Sequence, residues 1–162
     1  MNGAAGSTKP TIEIREATLD DITEILRQRR AMYEDMDYND SAALTAMVTL
    51  SAEYLTKAIP QGSFRAWLVS IEDRIVGGGA IVISPWPAHP YDLECRRATI
   101  LNVYTDREYR RRGVARQIMQ TMIDWCRAEG FAQVALHASP DGRPLYESLG
   151  FAVSNEMKLT LR

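Results

Sequence analysis

The run Tyr109-Arg110-Arg111-Arg112-Gly113-Val114-Ala115-Arg116 carries the most chemistry in this sequence, because it falls where a strand-like stretch gives way to a helical one. The first backbone N–H groups of a helix have no intrahelical acceptor, and together with the helix dipole they form a site for an anion. Gly113 lets the main chain approach that anion closely, and the small Ala115 leaves the helix start uncrowded. Arg110, Arg111, Arg112 and Arg116 add guanidinium groups able to pair with phosphate oxygens. The chemistry this suits is the binding of a pyrophosphate without a metal.

Other phosphate-binding patterns are missing. The chain has no Gly-x-x-x-x-Gly-Lys-Ser/Thr loop, and Gly77-Gly78-Gly79 sits inside a strand pattern, not as Gly-x-Gly-x-x-Gly at a helix start. A solvated run of arginines would leave Gly113, Ala115 and the strand-to-helix junction unexplained. Cys95 and Cys126 have no close cysteine neighbour and no metal-ligand spacing, so they read as reduced thiols of a cytoplasmic protein, and no metal is expected. A net charge of −2 gives no general attraction to nucleic acid or an anionic membrane. The longest apolar stretch, Ile75 to Ile83, is too short to span a bilayer and holds three glycines. No basic n-region with an apolar core opens the sequence, so no secretory signal is expected.

With 162 residues, 46% of them hydrophobic, the chain can bury a full core without staples. Residues 1–10 read as a mobile tail and residues 11–162 as a single domain. Ile12 and Ile14 begin a first strand. Thr18 or Asp20 then caps a helix whose apolar stripe holds Ile22, Ile25, Leu26, Tyr33 and Met36, with Arg29 on the same stripe. A second helix follows Asn39, Asp40 and Ser41 and ends at Pro60 and Gly62. Phe64–Ile71 and Ile75–Ile83 read as a hairpin, and the three prolines between Ser84 and Asp92 as a loop. Ala98–Thr105 is a strand, Gly113 to about Glu129 a helix capped by Gly130, and Phe131–Ala138 a further strand. A short helix from Pro144 to Leu149 precedes two last strands, Phe151–Val153 and Met157–Leu161. The strand–helix–strand unit from Ala98 to Ala138 implies a parallel pair within an otherwise antiparallel sheet, hence a mixed α/β fold with about four helices.

The segment Arg110-x-x-Gly113-x-Ala115, preceded by Leu101-Asn102-Val103-Tyr104-Thr105, resembles the Arg/Gln-x-x-Gly-x-Gly/Ala signature of the GNAT superfamily of acetyl-CoA-dependent N-acetyltransferases. Leu145-Tyr146-Glu147-Ser148-Leu149-Gly150-Phe151 resembles a second motif of that family, and the similarity covers the topology from Thr11 onward. The resemblance implies a splayed parallel strand pair with acetyl-CoA between the strands. The main chain at Leu101, Val103 and Thr105 would pair with the pantetheine arm, the N–H groups from Arg111 through Gly113, Val114 and Ala115 to Arg116 would hold the pyrophosphate, and Leu136 to Ser139 would line the far side. Tyr146 would be the general acid that protonates the departing thiolate. Ser139 stands where many members have an asparagine and offers one of its bonds to the cofactor arm, with Arg143 nearby toward a phosphate or the surface.

The usual base position holds Thr99, which cannot serve. Glu94, His137 or a water chain are the alternatives for deprotonating the amine. By the same resemblance the acceptor, a small-molecule amine or a protein or peptide amine, would meet 29–38 and 84–97. Candidate contacts are Arg30, Tyr33, Trp86 and Asn102, with Glu34, Asp35 and Asp37 able to attract a cation and Arg29 or Arg30 a carboxylate. The implied activity is direct attack of amine on thioester in a ternary complex. A non-catalytic acyl-CoA sensor is the alternative, and it would have no need of Tyr146. A homodimer is compatible with the family pattern.

Overall fold

The computed structural model describes residues 11–161, so the expected N-terminal tail lies outside the described residues. Strand β1 (Ile12–Glu16) leads through a 3-10 turn (Leu19–Asp21) into helix α1 (Ile22–Asp35). The turn is held by the Asp21 carboxylate, which accepts the Thr18 N–H at 2.8 Å and the Arg15 guanidinium at 2.7 and 2.8 Å. The hydrogen bonds from Arg15, foremost, draw the Asp21 carboxyl down to about 2. Helix α2 (Ser41–Ala58) starts at Asp40, whose side chain accepts the Ala43 N–H at 3.0 Å. Then come β2 (Phe64–Ile71), β3 (Arg74–Pro85), β4 (Arg96–Thr105), a 3-10 turn (Arg107–Tyr109), α3 (Val114–Ala128), β5 (Val134–Leu136) and α4 (Arg143–Ser148).

The sheet order follows the chain, β1-β2-β3-β4-β5, with antiparallel neighbours except the parallel β4–β5 pair. Strand β2 is buried on both faces, and its alternation sorts the core. Phe64, Ala66 and Leu68 meet Ile25, Leu26, Leu55 and Ala58 of α1 and α2. Trp67, Val69 and Ile71 meet Val114, Ile118, Met119 and Met122 of α3. Those four α3 side chains are almost fully buried at a 3–4 spacing, and each contributes about 1.5–3 kcal/mol by leaving water.

The three glycines of β3 are explained by contact. A Cβ on Gly78 would stand 2.6 Å from the Gln28 side-chain oxygen and 2.8 Å from the Trp67 carbonyl. One on Gly79 would meet the Met122 methyl at 2.7 Å. The sheet is therefore pinched between α1 and α3 at its centre.

The two strands expected at the C-terminus do not form. Phe151–Val153 and Met157–Leu161 have no ladder, and Met157, Leu159 and Leu161 are exposed. Their alternation satisfies the side-chain period of a strand, but a strand also needs a partner edge. Strand β5 offers only three residues, shorter than the expected Phe131–Ala138. The tail is instead fixed by Glu156, 3.4 Å from Arg97.

Candidate active site

Strand β4 is regular up to Ile100 and then changes. Its parallel pairing with β5 covers Ala98, Thr99 and Ile100 only, so Leu101 to Thr105 have no strand partner on that side among the described residues. On the other side Ala80 faces Leu101 and Gly78 faces Tyr104, a register shift that marks a bulge. Asn102 sits in it with φ 55°. The bulge turns consecutive side chains to one face: Leu101 packs against the α1–α2 core and Asn102 bonds α1, while Val103 packs toward α3. Thr105 closes the strand with a buried hydroxyl that has no partner among the described residues.

The turn into α3 is built on left-handed backbone, with Arg111 at φ 58° and Gly113, the N-cap, at φ 84°. No side chain caps this helix, and its first external bond is the Gln117 N–H to the Gly113 carbonyl at 3.1 Å. Among the described residues, the N–H groups from Arg111 to Arg116 meet no acceptor. Beside Gly113 a Cβ would touch nothing within 4 Å, so the space before these donors is open. The residues present therefore suit a pyrophosphate.

The arginines divide. Arg110 is turned away, its Nε donating to the Thr105 carbonyl at 3.0 Å and its guanidinium paired with Asp35. Arg112 lies over the Tyr109 ring at 5.2 Å, and Arg116 donates to the Ser148 hydroxyl at 2.7 Å. Arg111 and Arg112 have no carboxylate partner among the described residues.

Tyr146 lies on α4, half-buried against Phe151 at 6.1 Å between ring centroids, and burial pushes its phenol above its ordinary value. A Cβ on Gly142 would be 3.0 Å from the Tyr146 hydroxyl, so the ring lies across that glycine. The Ser139 Oγ accepts the Gly142 N–H at 3.2 Å, and its hydroxyl hydrogen remains available to donate. Arg143 is 3.8 Å from Glu147 on the same helix.

The acceptor candidates are not gathered in one place. Asn102 is buried and its Oδ1 accepts from Arg29 at 2.6 Å, and the Arg29 guanidinium lies 5.2 Å from the Tyr33 ring. Arg30 turns to Glu34 at 2.8 Å, and Asp35 is taken by Arg107 and Arg110. Trp86 is at the opposite end of the β3–β4 ladder, under Arg97. Glu94 is exposed and pairs with Arg96, and His137 is exposed 3.9 Å from Glu156. Thr99 is paired with Ala135 inside the ladder.

Reading the sequence missed the roles of Asp35 as a clasp and of Gln28 under Gly78. Neither carries a local signal, since each depends on partners far along the chain. An open concavity of about 660 Å³ lies behind the turn, where Glu24, Asp73, Asp106 and Glu108 face Arg27, Arg74 and Arg107. Its four carboxylates outnumber its three guanidiniums by one.

Known proteins resemble this chain in sequence and fold. Residues 21–151 match the acetyltransferase (GNAT) family. The chain is 26% identical over 118 residues to human N-acetyltransferase 8, covering 71% of this chain and 48% of that protein, so it spans about half the length of this curated relative. A GCN5-related N-acetyltransferase from Ralstonia eutropha JMP134 superposes with a TM-score of 0.85 at 29% identity, over 93% of this chain and 99% of that one. A predicted acetyltransferase with acetyl-CoA from Clostridium acetobutylicum shares the fold, with a TM-score of 0.84 at 21% identity over 93% and 97% of the two chains. With the family match over most of its length and a five-stranded sheet ending in a parallel pair, this chain belongs to the acetyltransferase (GNAT) family.

Proposed function

We propose that the protein transfers the acetyl group of acetyl-CoA to a primary amine in a ternary complex. The run of free N–H donors from Arg111 to Arg116, opening beside a β4 edge that lacks a strand partner, carries this reading. Acetyl-CoA, when bound, supplies a thioester carbonyl. The main chain of Leu101, Val103 and Thr105 offers pairing groups to the extended arm, as a neighbouring strand would. The Gly113 turn holds the pyrophosphate on backbone donors, so no metal is required for its charge.

The chemistry asks little more of the chain. The amine nitrogen attacks the carbonyl carbon, the carbon–sulfur bond breaks, the nitrogen loses a proton and the sulfur gains one. Tyr146 is our proton donor to that sulfur: a phenol is protonated across the physiological range, and burial pushes this one further up. The amine's proton leaves through water, since Thr99 offers no base and His137 and Glu94 stand at the surface. The acceptor is a small-molecule amine, or a protein or peptide amine. Both cysteines are unpaired, which supports a reducing, cytoplasmic setting. Among the described residues no helix is long and apolar enough to cross a membrane.

A screen of amines, amino acids, polyamines and aminoglycosides for thiol release from acetyl-CoA tests this reading. We expect amine-dependent release from at least one class. Release from none would leave an acyl-CoA-binding module without catalysis.

A further inference from the structure

Arg29 stands apart from the other arginines of the chain. Among the described residues, the arginines without a carboxylate within 4.0 Å are Arg111, Arg112 and Arg116 of the phosphate turn, and Arg29. The first three are exposed, where water solvates the charge. Arg29 is half-buried on the sheet-facing stripe of α1, and its contacts are neutral: the Asn102 amide oxygen at 2.6 Å and the Tyr33 ring at 5.2 Å. A partly desolvated guanidinium without a counter-ion is costly. An anion arriving there would therefore gain a charge-assisted hydrogen bond.

The orientation of the guanidinium narrows the ligand. Its Nε is buried without a partner, whereas Nη2 is unpartnered yet reaches the surface. Nη2 is thus the free, accessible donor of the guanidinium. Its neighbour Nη1 is held by Asn102 at the bulge between Leu101 and Val103, the main chain to which the proposed acetyl-CoA arm pairs. Through Asn102 the guanidinium thus adjoins the strand proposed to carry the arm, which suits an acceptor whose carboxylate stands next to its amine. In an α-amino acid, standard bond lengths put the nitrogen about 2.5 Å from the carboxylate carbon.

We propose that Arg29, positioned by Asn102, receives the carboxylate of the acceptor, and that the acceptor is an amino acid or a derivative with a free carboxylate next to its amine. This rests on the acetyl-transfer reading. Asn102 acts as the positioning residue, its left-handed backbone at φ 55° aiming the amide oxygen at α1.

The test compares the twenty standard amino acids with their carboxamides under acetyl-CoA, reading thiol release, for the wild-type protein, Arg29→Gln and Arg29→Lys. Melting temperature with and without acetyl-CoA is read alongside. We expect wild-type kcat/KM for the preferred acid to exceed that for its amide at least tenfold. Arg29→Gln removes this preference through KM and keeps the acetyl-CoA melting shift, and Arg29→Lys retains part of it. The wild-type comparison stands even where a variant fails to fold. Equal use of acids and amides, use of amides alone, or a melting shift with acetyl-CoA but no turnover of any acid overturns the carboxylate assignment. Absence of the acetyl-CoA shift in wild type defeats the parent reading instead.

Discussion

Asp35, the last residue of α1, accepts a hydrogen bond from Arg110, the residue that opens the turn into α3. Arg107 donates to the same carboxylate, whose side chain is only 17% exposed. The end of the helix that carries Arg29 and Tyr33 is therefore tied to the loop that precedes Gly113. Burial alone would push the Asp35 carboxyl up, but the hydrogen bonds from Arg107 and Arg110 outweigh it and hold it below the usual value. A carboxyl lowered on folding stabilises the fold above its unfolded value, near 4, and that contribution is lost as pH falls through the folded value. Asp35→Asn is expected to cost about 1 kcal/mol at pH 7, screened as such partly exposed pairs are, and to weaken acetyl-CoA binding a few-fold. Chemical denaturation at pH 7 and pH 3 checks the sign: the difference between wild type and variant shrinks at the lower pH.

Gly113→Ala separates backbone strain from ligand contact. The left-handed φ of 84° costs an alanine about 1–2 kcal/mol, and no protein atom opposes its Cβ. The methyl group would occupy the open space before the free N–H donors. We expect a stability loss of that size together with a weakening of acetyl-CoA binding of about tenfold or more, measured by calorimetry.

Gly78→Ala is expected to destabilise by about 1–3 kcal/mol, because the Trp67 carbonyl 2.8 Å from the new Cβ cannot rotate away. The measurement is the urea midpoint at pH 7. Gly113→Ala should cost less in stability and more in ligand affinity, so the pair distinguishes a packing glycine from a binding one.

Tyr146→Phe removes the proposed proton donor and keeps the ring that crosses Gly142 and meets Phe151. Turnover on an accepted amine is expected to fall about a hundredfold with acetyl-CoA affinity nearly unchanged. A phenol raised above its ordinary value stays protonated until pH exceeds about 10, so the wild-type kcat shows no loss from this group below that pH.

Much of this was legible in the sequence, for reasons tied to the range of the interactions. The α3 stripe of Val114, Ile118 and Met122 and the β2 span Phe64–Ile71 follow from local periodicity, and both form as read. Gly113 was legible because a helix start needs only its own residues. The alternation of Met157, Leu159 and Leu161 misled, since a strand depends on a free edge that local pattern does not report. Arg29 was visible as a charge on an apolar stripe, but its partner Asn102 lies 73 positions away at a bulge created by register with β3. Asp35 looked like a free acid able to attract a cationic amine, and its arginine partners lie 72 and 75 positions further along.

The most direct measurement is the melting temperature of the wild-type protein with acetyl-CoA, set against an equal concentration of ATP, which shares the adenosine diphosphate of coenzyme A but lacks its pantetheine arm. A ligand at a hundred times its Kd stabilises the folded state by about 2.7 kcal/mol, so the account expects a rise of several degrees with acetyl-CoA and little with ATP. No shift at saturating acetyl-CoA, or an equal shift with ATP, would contradict an acetyl-CoA site at the Gly113 turn.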